Sequence, residues 1–227
     1  MNPELVALQS RLQHRFASPR LLERALTHRS FGADHNERLE FLGDSVLNLA
    51  VSSLLYERLD NMPEGDLSRV RAHLVKQDTL FDIAQGLGLS PCLRLGDGEK
   101  RSGGHKRPSI LADALEAVIG AVYLDGGFEP ASQLVRRLYA DVELNAQMRS
   151  LGKDPKTELQ EWLQARKMKL PVYRVVATLG EAHKQTFDVE CLVQESGHAE
   201  RGIGASRRAG EQAAAAAMLQ HFATHGA

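Results

Sequence analysis

The stretch Asn36-Glu-Arg-Leu-Glu-Phe-Leu-Gly-Asp-Ser-Val46 carries an acidic stripe and an apolar stripe at helical spacing. Glu37, Glu40 and Asp44 follow one another at intervals of three and four residues, so on a helix they share one face. The apolar residues fall on another face and predict packing against a core: Leu39, Leu42 and Val46. Because stacked like charges repel one another, the segment by itself fits either a solvated acidic face or a cation site.

A second acidic segment is Ile110-Leu-Ala-Asp-Ala-Leu-Glu-Ala-Val-Ile-Gly120. Asp113 and Glu116 are its only charges, and a helix that is apolar nearly all round is usually buried. Buried carboxylates need partners, and no Lys or Arg lies within this segment. A divalent cation would satisfy both acidic segments if their helices face each other, and oxygen ligands favour Mg²⁺ or Mn²⁺. An internal ion pair with a distant Arg is the alternative.

The composition is that of an ordinary globular protein, with 43% hydrophobic and 25% charged residues among 227. It excludes collagen-like, coiled-coil and wholly disordered chains, and no apolar run approaches the roughly 18 residues that cross a bilayer. The N-terminus lacks the uninterrupted apolar core of a secretory signal. Cys92 and Cys191 lie far apart and form no metal half-site, so we expect a reducing, cytoplasmic setting and no membrane partner. With a net charge of −1, any polyanion site depends on local clustering or on bound metal ions.

Up to about residue 145 the apolar periodicity predicts one helix after another. The expected helices run over 5–16, from Pro19 onward, and over 36–59, 66–75, 78–86, 110–124 and 129–145. Residues 96–107 are rich in glycine and basic residues, which predicts a mobile loop. Pro63-Glu-Gly-Asp66 predicts another loop, which could supply one more carboxylate.

The pattern changes near residues 147–153. Asp154-Pro155 opens a helix, and Ser206 caps an alanine-rich helix that ends near Phe222. Three β-like runs lie between these helices, at 172–179, 185–193 and 199–204. An all-helical block followed by a small α-β-β-β-α block predicts two domains, which we place at 1–146 and 154–224 with the linker 147–153 between them.

The eleven residues Asn36–Val46 resemble the ribonuclease III motif at every position. Three further blocks are similar to the family's other motifs and occur in the same order: Ala25–Ser30, Glu64–Arg69 and Ile110–Gly120. The C-terminal block resembles the double-stranded-RNA-binding domain that follows in bacterial members. The resemblance therefore covers nearly the whole chain.

This resemblance implies an all-α endonuclease domain followed by a small α+β double-stranded-RNA-binding domain, in an enzyme that acts as a homodimer. It implies Mg²⁺-dependent cleavage of double-stranded RNA to 5′-phosphate and 3′-hydroxyl ends, in the processing of structured rRNA, mRNA and tRNA precursors. The family's metal ligands correspond to four acids, of which Asp44 and Glu116 are the most directly catalytic: Glu40, Asp44, Asp113 and Glu116. Glu37 and Glu64 match accessory acids near the cleavage valley.

Several residues of the C-terminal block suit the minor groove and phosphates of A-form RNA. Gln160 and Gln164 share a helix face, and His183 lies in a turn that could enter the next minor groove. Ser206-Arg207-Arg208 begins a helix, where backbone amides and two guanidiniums suit phosphate. Ala209-Gly210 departs from the family, which usually has a basic residue and Ala there, so we expect a weaker helix and one phosphate contact fewer.

Two other functions fit parts of the pattern. A non-catalytic, dimeric double-stranded-RNA-binding protein would use the C-terminal block but has no reason to bury four carboxylates. A hydrolase of small phosphate esters would use the acids but leave the C-terminal block idle. Phe41, apolar beside the acids, either inserts into a partner subunit or packs within its own chain. The basic side chains of the glycine-rich loop either touch RNA or are solvated: Lys100, Arg101, Lys106 and Arg107.

Overall fold

A computed structural model describes residues 3–142, 153–181 and 185–225. The chain divides into two compact units, Met1–Leu151 and Gly152–Ala227. The linker 147–153 lies almost wholly outside the described residues, so its limits remain a prediction. Among the described residues, no helix is both long enough and apolar enough to cross a membrane.

Helices make up the first unit within its described residues, as the sequence predicts. They are α1 (Pro3–Leu12), α2 (Pro19–Ala25), α3 (Glu37–Arg58), α4 (Glu64–Leu74), α5 (Gln77–Gly86), α6 (Asp97–Arg101), α7 (Pro108–Gly126) and α8 (Phe128–Leu138). Short 3₁₀ turns lie at Ser90–Cys92 and Gly104–Lys106.

Helix α7 is the centre of this unit and packs against α2, α3, α5 and α8. Its apolar residues are buried on nearly every side, as expected for a helix without a polar face. Between Ser109 and Val122, only Ser109, Asp113 and Glu116 keep partial exposure. These three positions follow one another at helical spacing, so they form a single narrow polar strip on a buried helix.

The two acidic segments meet where α3 crosses α7, and two glycines make the crossing close. A Cβ placed on Gly43 would lie 1.8 Å from the carbonyl oxygen of Glu116, and one on Gly120 would lie 2.3 Å from that of Leu39. The two backbones are therefore in direct contact, because no side chain separates them at these two positions. The contact brings the acidic face of α3 beside the polar strip of α7.

Residues 96–107 do not form the mobile loop that the sequence predicts. They fold into α6 and the second 3₁₀ turn around Glu99, whose carboxylate pairs with Arg107 at 2.9 Å. The hydroxyl of Ser102 donates to the carbonyl oxygen of Glu99 at 3.0 Å, and Gly104 packs tightly on the Glu99 side chain. A glycine-rich composition is typical of mobile loops, but here Gly104 serves close packing instead.

Two helix limits also differ from prediction. The first helix ends at Leu12 because Gln13 adopts a left-handed φ of 50°, although Phe16 is still buried. The loop prediction for Pro63–Asp66 is wrong, because Glu64 already begins α4. The predicted helix end near Asn145 lies outside the described residues, but α8 itself ends at Leu138.

The second unit has the predicted α-β-β-β-α order: α9 (Pro155–Ala165), β1 (Val172–Leu179), β2 (Thr186–Val193), β3 (His198–Gly204) and α10 (Arg207–His225). The strands form one antiparallel sheet in the order β1-β2-β3, with a register shift between Val175 and Ala177. Its core joins both helices to β2, and Trp162 stacks on Phe222 with ring centroids 4.5 Å apart. Leu163 is fully buried in this core, and Trp162 packs against it while partly buried.

Helix α10 lies directly on the sheet, again because of glycines. A Cβ on Gly202 would lie 2.1 Å from the backbone nitrogen of Ala214, and one on Gly204 would lie 2.4 Å from that of Gly210. A Cβ on Gly210 would lie 2.7 Å from the Val189 side chain. Gly210 therefore faces the sheet rather than solvent. It weakens α10 locally, but it permits the close packing of α10 on the sheet.

We expect Gly120→Ala to destabilise the first unit by about 1–3 kcal/mol, because the added methyl group meets backbone that cannot rotate away. Gly86→Ala is the matched control, since nothing lies within 4 Å of a Cβ there. Urea denaturation followed by circular dichroism measures the loss. Fluorescence of Trp162 reports the second unit, and the unfolding transition that it follows should be unchanged. Equal stability of Gly120→Ala and Gly86→Ala would contradict a tight crossing.

Candidate active site and RNA-binding surface

The four predicted metal ligands lie on the two crossing helices, with Glu40 and Asp44 on α3 and Asp113 and Glu116 on α7. Asp44 is exposed, whereas Glu40, Asp113 and Glu116 are half-buried. The glycine contact fixes their common location, because Gly43 lies between the two acids of α3 and contacts the backbone of Glu116 itself. Motif spacing identifies the acids but not the glycines that bring them together.

The electrostatics show that these carboxylates act on one another. Burial raises the pKa of Glu116 to about 8, and Asp44, Asp113 and Glu40 contribute to this rise. Burial is also the main reason that the pKa values of Glu40 and Asp113 are raised. Within the described ranges none of the four acids has a Lys or Arg ion-pair partner, so the alternative of an internal ion pair is not supported.

The four carboxylates do not form a closed ligand cage as they stand. Among the described residues, no three acidic, histidine or cysteine side chains converge closely enough to hold a metal ion. One oxygen of Asp44 accepts a hydrogen bond from Asn48 Nδ2 at 2.8 Å, which fixes that side chain. The sequence analysis gave Asn48 no role. Its position four residues after Asp44 places the two side chains next to each other on a helix, so the hydrogen bond could have been predicted.

A cleft of about 570 Å³ opens beside Glu40 and Asp113. Glu37 also lines it and pairs with Arg29 at 3.4 Å, so this predicted accessory acid lies in the same cleft as Glu40 and Asp113. Glu64 does not line the cleft; it accepts a hydrogen bond from Ser68 at 2.8 Å on α4. His28 and Arg29 line the cleft as well, and sequence reasoning gave them no role beyond membership of a family block.

Two of the predicted RNA-binding residues of the second unit come together in the structure. Gln160 and Arg208 line the same hollow of about 490 Å³, so residues far apart in the chain come together. Gln164 is exposed one turn further along α9 and does not line this hollow. His183 lies outside the described residues.

The N-terminus of α10 is built largely as predicted. The hydroxyl of Ser206 caps the helix, accepting a hydrogen bond from the backbone nitrogen of Ala209 at 3.1 Å. The side chains of Arg207 and Arg208 are 68% and 82% exposed, which leaves both guanidiniums accessible. Arg207 pairs with Glu211 at 3.1 Å, and that pair aims it along the helix surface.

Comparison with known proteins agrees with this architecture. Residues 18–142 match the Ribonuclease-III-like family, and residues 155–222 match the double-stranded RNA binding motif. "Ribonuclease 3" of Albidiferax ferrireducens is 75% identical over 97% of this chain and 96% of its own length. "Ribonuclease 3" of Variovorax paradoxus is 73% identical over the full length of both. The nuclease domain of Ribonuclase III from Campylobacter jejuni is similar with a TM-score of 0.60 and 42% identity, covering 63% of this chain and 98% of that one.

A helical unit with four carboxylates on crossing helices, followed by a double-stranded-RNA-binding unit, defines a class of nucleases that act on RNA duplexes. This chain belongs to the ribonuclease III family. It is an endoribonuclease of double-stranded RNA, and the family is generally metal-dependent. The interpretation as a non-catalytic binding protein is therefore not supported.

The high pKa of Glu116 predicts how stability depends on pH. The unfolded chain releases this proton near pH 4.5, whereas the folded chain keeps it until about pH 8. The free energy of unfolding should therefore fall as pH rises through that window, by up to about 1.4 kcal/mol per pH unit. Glu116→Gln has no carboxyl group to titrate at this position and so lacks this pH-dependent loss of stability. The free energy of unfolding of the variant, relative to that of wild type, should therefore increase from pH 5 to pH 8. Urea denaturation in chelator at several pH values tests this, and parallel profiles would contradict it.

Proposed function

We propose that this chain hydrolyses phosphodiester bonds of double-stranded RNA with Mg²⁺ at the α3–α7 acids, leaving 5′-phosphate and 3′-hydroxyl ends. The observation that carries the proposal is Glu116, which is half-buried beside three other carboxylates without a described cation partner. Glu40, Asp44, Asp113 and Glu116 would hold the ion. An all-oxygen donor set suits Mg²⁺, with Mn²⁺ as a substitute.

The residues of the site divide the work. Bound Mg²⁺ supplies activation of water and neutralises charge at the scissile phosphate. Asp44 presents one carboxylate oxygen while Asn48 holds the other, so its orientation is set before substrate arrives. With no ion bound, Glu116 has a pKa of about 8, so binding of Mg²⁺ near neutral pH would displace its proton and leave the carboxylate as a ligand. We assign Asp44 and Glu116 the most direct catalytic roles, with Glu37 and Glu64 as accessory acids.

The second unit is proposed to hold the duplex. Gln160 and Gln164 reach 2′-hydroxyls from the exposed face of α9, and Arg207 and Arg208 contact phosphates beside the capped N-terminus of α10. His183 keeps its proposed minor-groove role from the sequence alone. We propose structured rRNA, mRNA and tRNA precursors as the substrates, and 1–146, 147–153 and 154–224 as catalytic domain, linker and RNA-binding domain.

We further propose a homodimer formed through α3. Phe41, Leu49 and Tyr56 recur at intervals of eight and seven residues along α3 and are 78%, 55% and 76% exposed. A row of exposed large apolar side chains on one helix face is unusual on a solvated surface and typical of an interface. The similar nuclease domain from Campylobacter jejuni has a structurally flexible region that is involved in dimer formation. Each dimer would carry two active sites.

A cytoplasmic location is also proposed. Both cysteines, Cys92 and Cys191, are buried free thiols in the structure. Buried unpaired thiols are typical of proteins that fold in a reducing compartment.

Glu116→Gln and Asp44→Asn should each lower Mg²⁺-dependent cleavage by about 10²–10³-fold, the scale of losing one preorganised charge at a reacting phosphate. Affinity for duplex RNA should stay near wild type, because both variants keep the shape of the side chain and the second unit is untouched. Cleavage of an end-labelled duplex and a mobility-shift assay measure the two quantities. Asp60→Asn, an exposed acid away from the cluster, is the control. Near-wild-type turnover of Glu116→Gln at saturating Mg²⁺ would exclude the proposed site.

A chain ending at Leu151 should still cut duplex RNA, but only at low salt. The first unit has its own buried core and keeps all four proposed ligands, so the chemistry is retained. The RNA contacts of the second unit are lost, and the slope of log affinity against log salt should flatten by roughly 0.7–0.9 per phosphate contact. Cleavage rate against salt, for full-length and shortened chains, tests this. Identical salt profiles would show that the second unit does not hold substrate.

A further inference from the structure

The cleft beside the acids contains hydrogen-bond donors that the proposed function leaves without a role. His28 and Arg29 line it together with Glu40 and Asp113. The Arg29 guanidinium also opposes the raised pKa of Asp113. Arg107, another cation of the lining, is paired with Glu99 at 2.9 Å, and Arg29 is paired with Glu37 at the longer distance of 3.4 Å. An RNA phosphate entering a cleft of carboxylates needs donors of this kind, since the acids alone repel it.

The backbone around His28 is rigidly placed. The backbone nitrogen of His28 donates to the carbonyl oxygen of Arg94 at 3.0 Å, and that of Arg94 donates to Leu26 at 2.8 Å. Gly96 donates its backbone N–H to Ser30 Oγ at 3.0 Å, and a Cβ on Gly96 would lie 2.2 Å from the carbonyl oxygen of Ser30. Hydrogen bonds and close packing therefore hold residues 27–30 against residues 94–96. The backbone that carries the His28 imidazole is fixed in position.

The hydrogen bonds of the ring set its tautomer. The backbone N–H of Ser30 donates to His28 Nδ1 at 3.2 Å, and Ser30 Oγ lies 2.8 Å from the same nitrogen. An N–H can only donate, so Nδ1 accepts and the proton of the neutral ring is on Nε2. Within the described residues Nε2 has no hydrogen-bond partner. The ring thus offers one donor that the fold does not use.

We propose that His28 donates through Nε2–H to a backbone phosphate oxygen of the RNA strand being cut, and that the Arg29 guanidinium neutralises the same phosphate. The two side chains are substrate-positioning residues that hold the strand against the acidic cluster. This inference rests on the proposed function, because it takes the α3–α7 acids to be the cleavage site.

A pair of isosteric variants separates this role from a structural one. His28→Asn keeps an acceptor near the position of Nδ1 and preserves the Ser30 turn, but loses the donor at Nε2. His28→Gln keeps a donor near Nε2 and loses the acceptor at Nδ1. If His28 positions substrate, His28→Asn should lower the single-turnover cleavage rate at saturating enzyme by about tenfold, the effect of one hydrogen bond to a charged group, and His28→Gln should lower it less. A purely structural role predicts the opposite order.

Two further measurements complete the test. Duplex affinity, measured with Ca²⁺ in place of Mg²⁺, should change less than the rate, because the second unit is proposed to hold the duplex. Arg29→Gln removes the side-chain contact with Glu37 but none of the backbone hydrogen bonds of the turn. It should flatten the salt dependence of the cleavage rate at subsaturating enzyme, as expected for one lost phosphate contact. His73→Asn, on α4, is the control for His replacement.

The outcomes are distinguishable. Wild-type rates for His28→Asn, or a slower rate for His28→Gln than for His28→Asn, would overturn the His28 contact. If His28→Asn melts early, Arg29→Gln decides, and a wild-type salt slope there would overturn the proposal. Wild-type cleavage by Glu116→Gln would instead overturn the metal site on which this inference rests.

Discussion

The direct backbone contact between α3 and α7 is the constraint on which the catalytic unit depends. Gly43 and Gly120 remove the side chains that would hold these helices at ordinary distance. Because Gly43 lies between Glu40 and Asp44 and touches the backbone of Glu116, the same contact that closes the core also assembles the acids. A change that separated the helices would therefore weaken the fold and disperse the site together.

The site that results is electrostatically unfavourable for the protein alone. The half-buried Glu116 is surrounded by carboxylates and has a pKa of about 8, so its ionisation opposes folding at neutral pH. A polyanionic substrate adds to this repulsion. In the proposed mechanism, divalent cations would neutralise the acids, and the donors of His28 and Arg29 would receive the phosphate. Unfavourable electrostatics of this kind are expected where function, not stability, selects the residues.

The RNA-binding unit also depends on close backbone packing at glycines, here between a helix and a sheet. Gly202, Gly204 and Gly210 let α10 lie directly on the sheet, which fixes where its capped N-terminus projects. The pair between Glu211 and Lys156, at 2.6 Å, then joins α10 to α9 at that end, and Glu211 also pairs with Arg207 within α10. Gln160 and Arg208 consequently line one hollow, although neither the helix period nor the spacing in the chain relates them.

The sequence by itself determined the order of the elements, with a helical block before an α-β-β-β-α block, and it located the two acidic segments. Helix and strand periodicity and motif spacing are local properties, so they can be read without the fold. The sequence did not reveal the order in residues 96–107, where glycine suggested mobility, since the Glu99–Arg107 pair is formed only by folding. Nor did it give the roles of Gly43, Gly120 and Gly210, or the placement of His28 in the acidic cleft. These roles and this placement depend on which backbone segments are in contact, and only the tertiary structure decides that. In the sequence a helical glycine indicates only a weakened helix, because the element that packs against it is not yet known.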